Sequence, residues 1–135
     1  MIRKLSIFFL GPLVAASLIW PVPALTATVP EVVPGKGLVV FYRLRRMTGA
    51  AITFSVDHVD GTLGMLRNGS MLYKYCQPGQ HTFYSQVLSG DSVTINVEPG
   101  KAYFVQSVAR MGVAVARPGF THVDEATGRA AVTGL

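Results

Sequence analysis

The chain has little with which to do chemistry. Its single cysteine, Cys76, excludes an intrachain disulfide framework and any cysteine-cluster metal site. Only 14% of the 135 residues are charged and half are apolar, which excludes disorder for most of the length. The three histidines, His58, His81 and His122, stand far apart and form no His-x-His or His-x₃-His pair, so spacing designates no ligand set. His58 beside Asp57 and Asp60 is the nearest thing to one. No helical period of useful length follows the first twenty residues, and 135 residues leave room for one domain.

The start has a distinct character. Met1 to Lys4 is a short basic segment, Leu5 to Trp20 an apolar run, and Pro21 to Ala27 a stretch ending in small residues. This is the pattern of a secretory signal peptide, with cleavage after Ala24 or, as the alternative, after Ala27. The apolar run has 16 residues interrupted by Gly11-Pro12, short of the roughly 20 that span a bilayer. No cysteine stands near the cut, so the product is expected to be periplasmic or extracellular and not lipid-anchored, meeting the membrane only through the transient leader. Without Arg3 and Lys4, ten basic residues face seven acids. So mild an excess lacks the clustered basic face of a nucleic-acid binder. Residues 25–36 carry Pro30 and Pro34 and read as an extended linker or N-terminal arm.

From residue 37 to 133 the chain reads as a β-domain. Leu38 to Arg45 is dense in strand formers and apolar on both faces in its first half, as a central strand would be. Ile52, Phe54 and Val56 alternate with Thr53, Ser55 and Asp57, predicting a half-buried strand. Asp60-Gly61 and Asn68-Gly69 are hairpin dipeptides, with a short strand between them. Gly69 to Tyr84 predicts a central hairpin around a type II turn at Pro78-Gly79. Ser89-Gly90-Asp91 reads as a turn, and Val93, Ile95 and Val97 give the cleanest alternation. Strands are also expected over 102–108, 113–117 and 120–123, with Pro118-Gly119 ending the second of these. Asp124 to Ala131 is expected to be weakly helical at best, because Thr127 and Gly128 fall in its middle. About eight short strands separated by turn signals predict an all-β fold, an antiparallel β-sandwich.

Gly37-Leu38-Val39-Val40-Phe41-Tyr42-Arg43 is similar to the opening strand of a bacterial family of small exported proteins classed as a domain of unknown function. Val56-Asp57, Gly61, Gly64, Asn68-Gly69, Pro78-Gly79-Gln80-His81 and Gly100-Lys101-Ala102-Tyr103-Phe104-Val105 follow in that family's order. The resemblance covers residues 36–131 and also touches carboxypeptidase-regulatory and prealbumin-like modules. It implies an immunoglobulin-like or prealbumin-like sandwich outside the inner membrane, with no established catalytic residues. Many relatives are lipoproteins, a pattern from which this sequence departs.

The remaining candidates are few. Gly90-Asp91-Ser92-Val93 resembles a serine-esterase nucleophile block, but the surroundings read as a turn into a strand rather than the scaffold such a serine requires. Arg43, Arg45 and Arg46 form the one local basic cluster, suited to a phosphate, an acidic glycan or an acidic partner. Tyr42, Tyr73, Tyr75, Tyr84 and Tyr103 form an aromatic set suited to stacking on a carbohydrate, with Tyr73, Tyr75 and Tyr84 the candidates for a partner-binding face. Cys76 reads as a small buried hydrophobe. The expectation is therefore a non-enzymatic, exported module without cofactor or metal, binding an unidentified protein or glycan of the cell envelope. The alternative is an assembly subunit that pairs through an edge strand.

Overall fold

A computed structural model describes residues 28–85, 91–111 and 116–135. The expected leader, the Ser89-Gly90 turn and most of the strand expected over 113–117 lie outside them. Eight strands are present: β1 (Gly37–Tyr42), β2 (Phe54–His58), β3 (Gly61–Leu66), β4 (Met71–Cys76), β5 (Gly79–Tyr84), β6 (Ser92–Val97), β7 (Ala102–Met111) and β8 (Ala116–Val123). One helix, α1 (Glu125–Thr133), follows them. The strands form two four-stranded sheets, β4-β1-β7-β8 and β3-β2-β5-β6. The result is the expected all-β sandwich, antiparallel except where β1 runs parallel to β7.

The core explains the layers. Val39, Phe41, Val105 and Phe120 of the first sheet meet Phe54, Val56, Phe83, Ile95 and Val97 of the second, all buried. Phe41 packs edge-on against Phe83 and Phe120, with ring centroids 4.9 and 5.8 Å apart. Such edge-to-face pairs add about 0.5–1.5 kcal/mol each beyond their burial. The other face of the first sheet carries Leu38, Val40, Tyr42 and Phe104, covered by Val132 of α1 and by Val29 and Val32 of the N-terminal arm. The arm is thus packed in part, and the Glu31 carbonyl accepts a 2.7 Å hydrogen bond from the Tyr75 hydroxyl. β1 is buried along its whole length because both of its faces are covered.

Several local expectations change. Gly69 to Tyr84 is not a hairpin: β4 pairs with β1, whereas β5 pairs with β2 and β6 in the other sheet. The doubly buried β1 needs a ladder partner on each side and takes β4 as one. Gln77-Pro78 therefore carries the chain between layers, and Gly79, at φ 132°, already belongs to β5. Asn68-Gly69 does turn the chain, with Ser70 N–H donating to the Arg67 carbonyl at 3.2 Å, but it too leads from one sheet to the other. Of the three expected hairpins only β2–β3 is one, with Val59-Asp60 between its strands.

Pro118-Gly119 does not end a strand but lies inside β8, opposite Ala109 and Val108. β8 is an edge strand, and the Pro118 carbonyl points outward to accept from Asp91 N–H at 3.3 Å. The missing proline N–H therefore removes no ladder bond. Asp57, on the polar side of β2, is buried and accepts from the hydroxyls of Ser55 and Thr62, each at 2.6 Å.

The last correction is α1. Asp124 caps it, its carboxylate accepting from Thr127 N–H at 3.1 Å and from the Thr127 hydroxyl at 2.6 Å. The two residues taken as breakers serve the helix: Thr127 completes the cap, and Gly128 lets the backbone lie directly on Phe104.

Candidate functional site

The alternation that sends Val39 and Phe41 into the core continues to Arg43, just beyond β1. Its guanidinium enters the end of the sandwich, 97% buried, with its carbon 5.5 Å from the centre of the Phe54 ring. It donates to the Ile52 carbonyl and, at 2.5 Å, to the Gly49 carbonyl. The β1–β2 connection is thereby wrapped around a buried cation, and desolvation pulls the Arg43 pKa below its usual value. An arginine remains charged even so.

That charge has no carboxylate beside it. All seven acids fall among the described residues. Their ion pairs go to His58, Lys74, Lys101 and Arg129. Asp57, Asp91 and Asp124 are occupied by hydroxyls and backbone N–H groups elsewhere. Beside Arg43 lies a cavity of about 100 Å³, lined also by Arg46, Thr48 and Ser107. Ser107 is fully buried on β7, and among the described residues its hydroxyl has no hydrogen-bond partner. Leaving such a group unsatisfied costs about 1–3 kcal/mol.

The expected basic cluster is therefore divided. Arg43 is interior, whereas Arg45 and Arg46 are exposed at the mouth of the cavity or near it. The turn at Asn68-Gly69 orders this rim: Asn68 Oδ1 accepts from Arg46 N–H at 2.9 Å, and the Arg45 side chain lies against Gly69. The tyrosines are divided as well. Tyr73 and Tyr75 pair edge-on at 5.9 Å on the outer face of β4, while Tyr84 projects from β5 in the other sheet. The six candidates do not converge on one face.

What sequence spacing missed is a histidine pair. His58 ends β2 and His81 lies in β5; both point between the sheets, and His58 Nε2 is 2.9 Å from His81 Nδ1. The acceptors assign the tautomers. The Gln77 carbonyl, 2.7 Å from His81 Nε2, requires a proton on that nitrogen. His81 Nδ1 is then an acceptor, so His58 Nε2 must carry the proton between the rings. His58 Nδ1 is left to accept from Asp60 N–H at 3.3 Å. An added proton enters at His58 Nδ1, 3.3 Å from the Asp60 carboxylate, itself 3.7 Å from Lys74 Nζ. Burial lowers the His58 pKa, with His81 and Lys74 acting the same way and Asp60 opposing. Cys76 lies near this group, and burial raises its thiol pKa. No spacing rule announces the pair, because its members come from different strands. His122 is elsewhere, 6.0 Å from the Tyr103 ring. Among the described residues no three His, Cys, Asp or Glu side chains form a metal-binding group.

A family model described as "Protein of unknown function (DUF2846)" matches residues 34–120. The chain belongs to that family. No curated protein and no solved structure matches it. The matched region takes in all of β1 to β7, Arg43, Ser107 and both histidines of the pair, and stops before α1.

Proposed function

We propose that this member of the family is an exported, non-enzymatic binding module of the bacterial cell envelope, whose β4 edge takes an extended segment of a partner protein as an added strand. One observation carries the reading. Leu38 N–H points to β7 and Arg43 N–H to the β4 side, where it donates to the Ser70 carbonyl. Alternation along the β1–β4 ladder then directs the N–H and C=O groups of Leu72, Lys74 and Cys76 toward β1. Those of Met71, Tyr73 and Tyr75 face outward. No strand among the described residues pairs with that side, and Tyr73 is half exposed. Backbone groups of this kind supply affinity in strand addition, and neighbouring aromatics supply selectivity. A protein segment is favoured over a glycan because the tyrosines are split between two sheets.

Replacement of Tyr73 by proline tests the edge. Tyr73→Pro deletes an outward N–H and leaves the bonds to β1 intact; Tyr73→Ala keeps that N–H. Capture of an envelope protein by the wild type and by Tyr73→Ala, lost in Tyr73→Pro at unchanged circular dichroism, is the expected result. Equal capture by all three refutes strand addition. Export is tested by fractionation and N-terminal sequencing: the expected product starts at Leu25 or Thr28, and an intact cytoplasmic precursor refutes export. The same open edge favours a second reading, assembly of copies through paired β4 strands. Light scattering separates the two, a monomer supporting partner binding and a dimer abolished by Tyr73→Pro supporting assembly.

A further inference from the structure

The end of the sandwich where β1 leaves the core presents a different chemistry from the β4 edge and stands independently of it. Arg43 is a buried cation with no acid paired to it, although all seven acids of the chain fall among the described residues. Its two hydrogen bonds go to the carbonyls of Ile52 and Gly49, which are dipoles and leave the net charge in place. Ser107 also lines the cavity, is fully buried, and its hydroxyl has no partner among the described residues. Arg46 and Thr48 stand at the opening, both exposed. An uncompensated interior charge and an unsatisfied interior hydroxyl facing one small space call for the same occupant, a negatively charged group of oxygens.

We propose that this cavity binds a phosphate-type oxyanion, free or as a phosphoryl group on a larger molecule, with Arg43 and Ser107 at its floor and Arg46 and Thr48 at its mouth. The volume of about 100 Å³ suits one such group and no more. The donors come from three separate places: the end of β1, the loop after it, and the middle of β7. Donors distributed in this way match oxygens arranged tetrahedrally. A planar carboxylate is taken best by one guanidinium fork, whereas here two of the Arg43 N–H groups are already committed to backbone carbonyls.

The test is titration of the purified chain with inorganic phosphate, glycerol phosphate, acetate and chloride at constant ionic strength, followed by amide chemical shifts and calorimetry. Saturable phosphate binding with shifts at residues 43–49 and 107–109 is expected, and glycerol phosphate shows whether an ester is admitted. Binding should weaken about tenfold in Arg46→Ala, as loss of one charge-assisted hydrogen bond implies. Ser107→Val fills the space and should abolish binding. Removal of an orphaned hydroxyl should leave its melting temperature unchanged or raised, so lost binding cannot be attributed to unfolding. Tyr73→Ala, remote from the cavity, should bind as the wild type does. Equal shifts with chloride, tighter binding of acetate than of phosphate, or phosphate binding unchanged in both Arg46→Ala and Ser107→Val would each overturn the proposal.

Discussion

Replacement of Gly128 by alanine should destabilise the protein, against the usual direction of that change in a helix. In an ordinary helix interior Gly→Ala gains up to about 1 kcal/mol, because glycine surrenders more backbone freedom on folding. Gly128 lies in α1 over the outer face of the first sheet, and a Cβ there would fall 2.2 Å from Phe104 Cγ and 2.3 Å from Phe104 Cβ. The second contact is with the root of a side chain on β7, which cannot swing aside. Phe104 is itself fully buried beneath Val132 and Arg129, so α1 must lift or slide. Overpacking of this kind costs typically 1–3 kcal/mol. With so short a contact the upper part of that range applies, and after the helix-propensity gain a net loss of about 1–2 kcal/mol remains. For a domain of this size that lowers the melting temperature by roughly 4–15 °C. Thermal and urea unfolding of Gly128→Ala beside the wild type measure it. A Gly128→Ala protein as stable as the wild type or more so would refute the reasoning that glycine is there to seat the helix.

Three further outcomes follow from the titrating groups. The lowered pKa of His58 means that the unfolded chain binds its proton more tightly. The stability it contributes is therefore complete above the ordinary histidine value of about 6.5 and lost as pH falls through the lower folded value. Urea midpoints taken from pH 7.5 down to 5 should fall for the wild type and fall less for His58→Gln; parallel curves would remove His58 as the cause. The Asp124 carboxylate is held below its usual pKa chiefly by the Thr127 hydroxyl and then by the Thr127 N–H. Its cap is present above about pH 4 and lost below that. Hydrogen exchange at the first turn of α1 should quicken in Asp124→Ala and stay slow in Asp124→Asn. Cys76, buried with a raised thiol pKa, should react with a thiol reagent at the rate of unfolding, and a rapid native-state reaction would contradict its placement.

How much of this was readable in advance can be judged from particular residues. The unbroken apolar run Leu38 to Tyr42 determined a strand buried on both faces, and the alternation of Val93, Ile95 and Val97 determined a half-buried one. Both depend only on the two-residue period of an extended backbone, which is local. The lone cysteine likewise settled the matter of intrachain disulfides without any coordinates. Local pattern said nothing reliable about which strand lies beside which. Pro78-Gly79 has the composition of a hairpin turn, yet it joins two sheets, because the demand of β1 for a partner on each side outweighs the preference of a dipeptide.

The same division holds at the sites. The sequence alone placed three arginines together at the end of the first strand. Only the tertiary structure sent Arg43 inward beside the unsatisfied Ser107 and left Arg45 and Arg46 outside. It brought His58 and His81 to 2.9 Å across 23 positions and turned Gly128 from a helix breaker into the place where a helix rests on a ring. Periodicity records which face a side chain takes, because that is a property of neighbouring residues. Partners are decided by how two faces from distant stretches fill a shared space, and that exists only once the layers have closed.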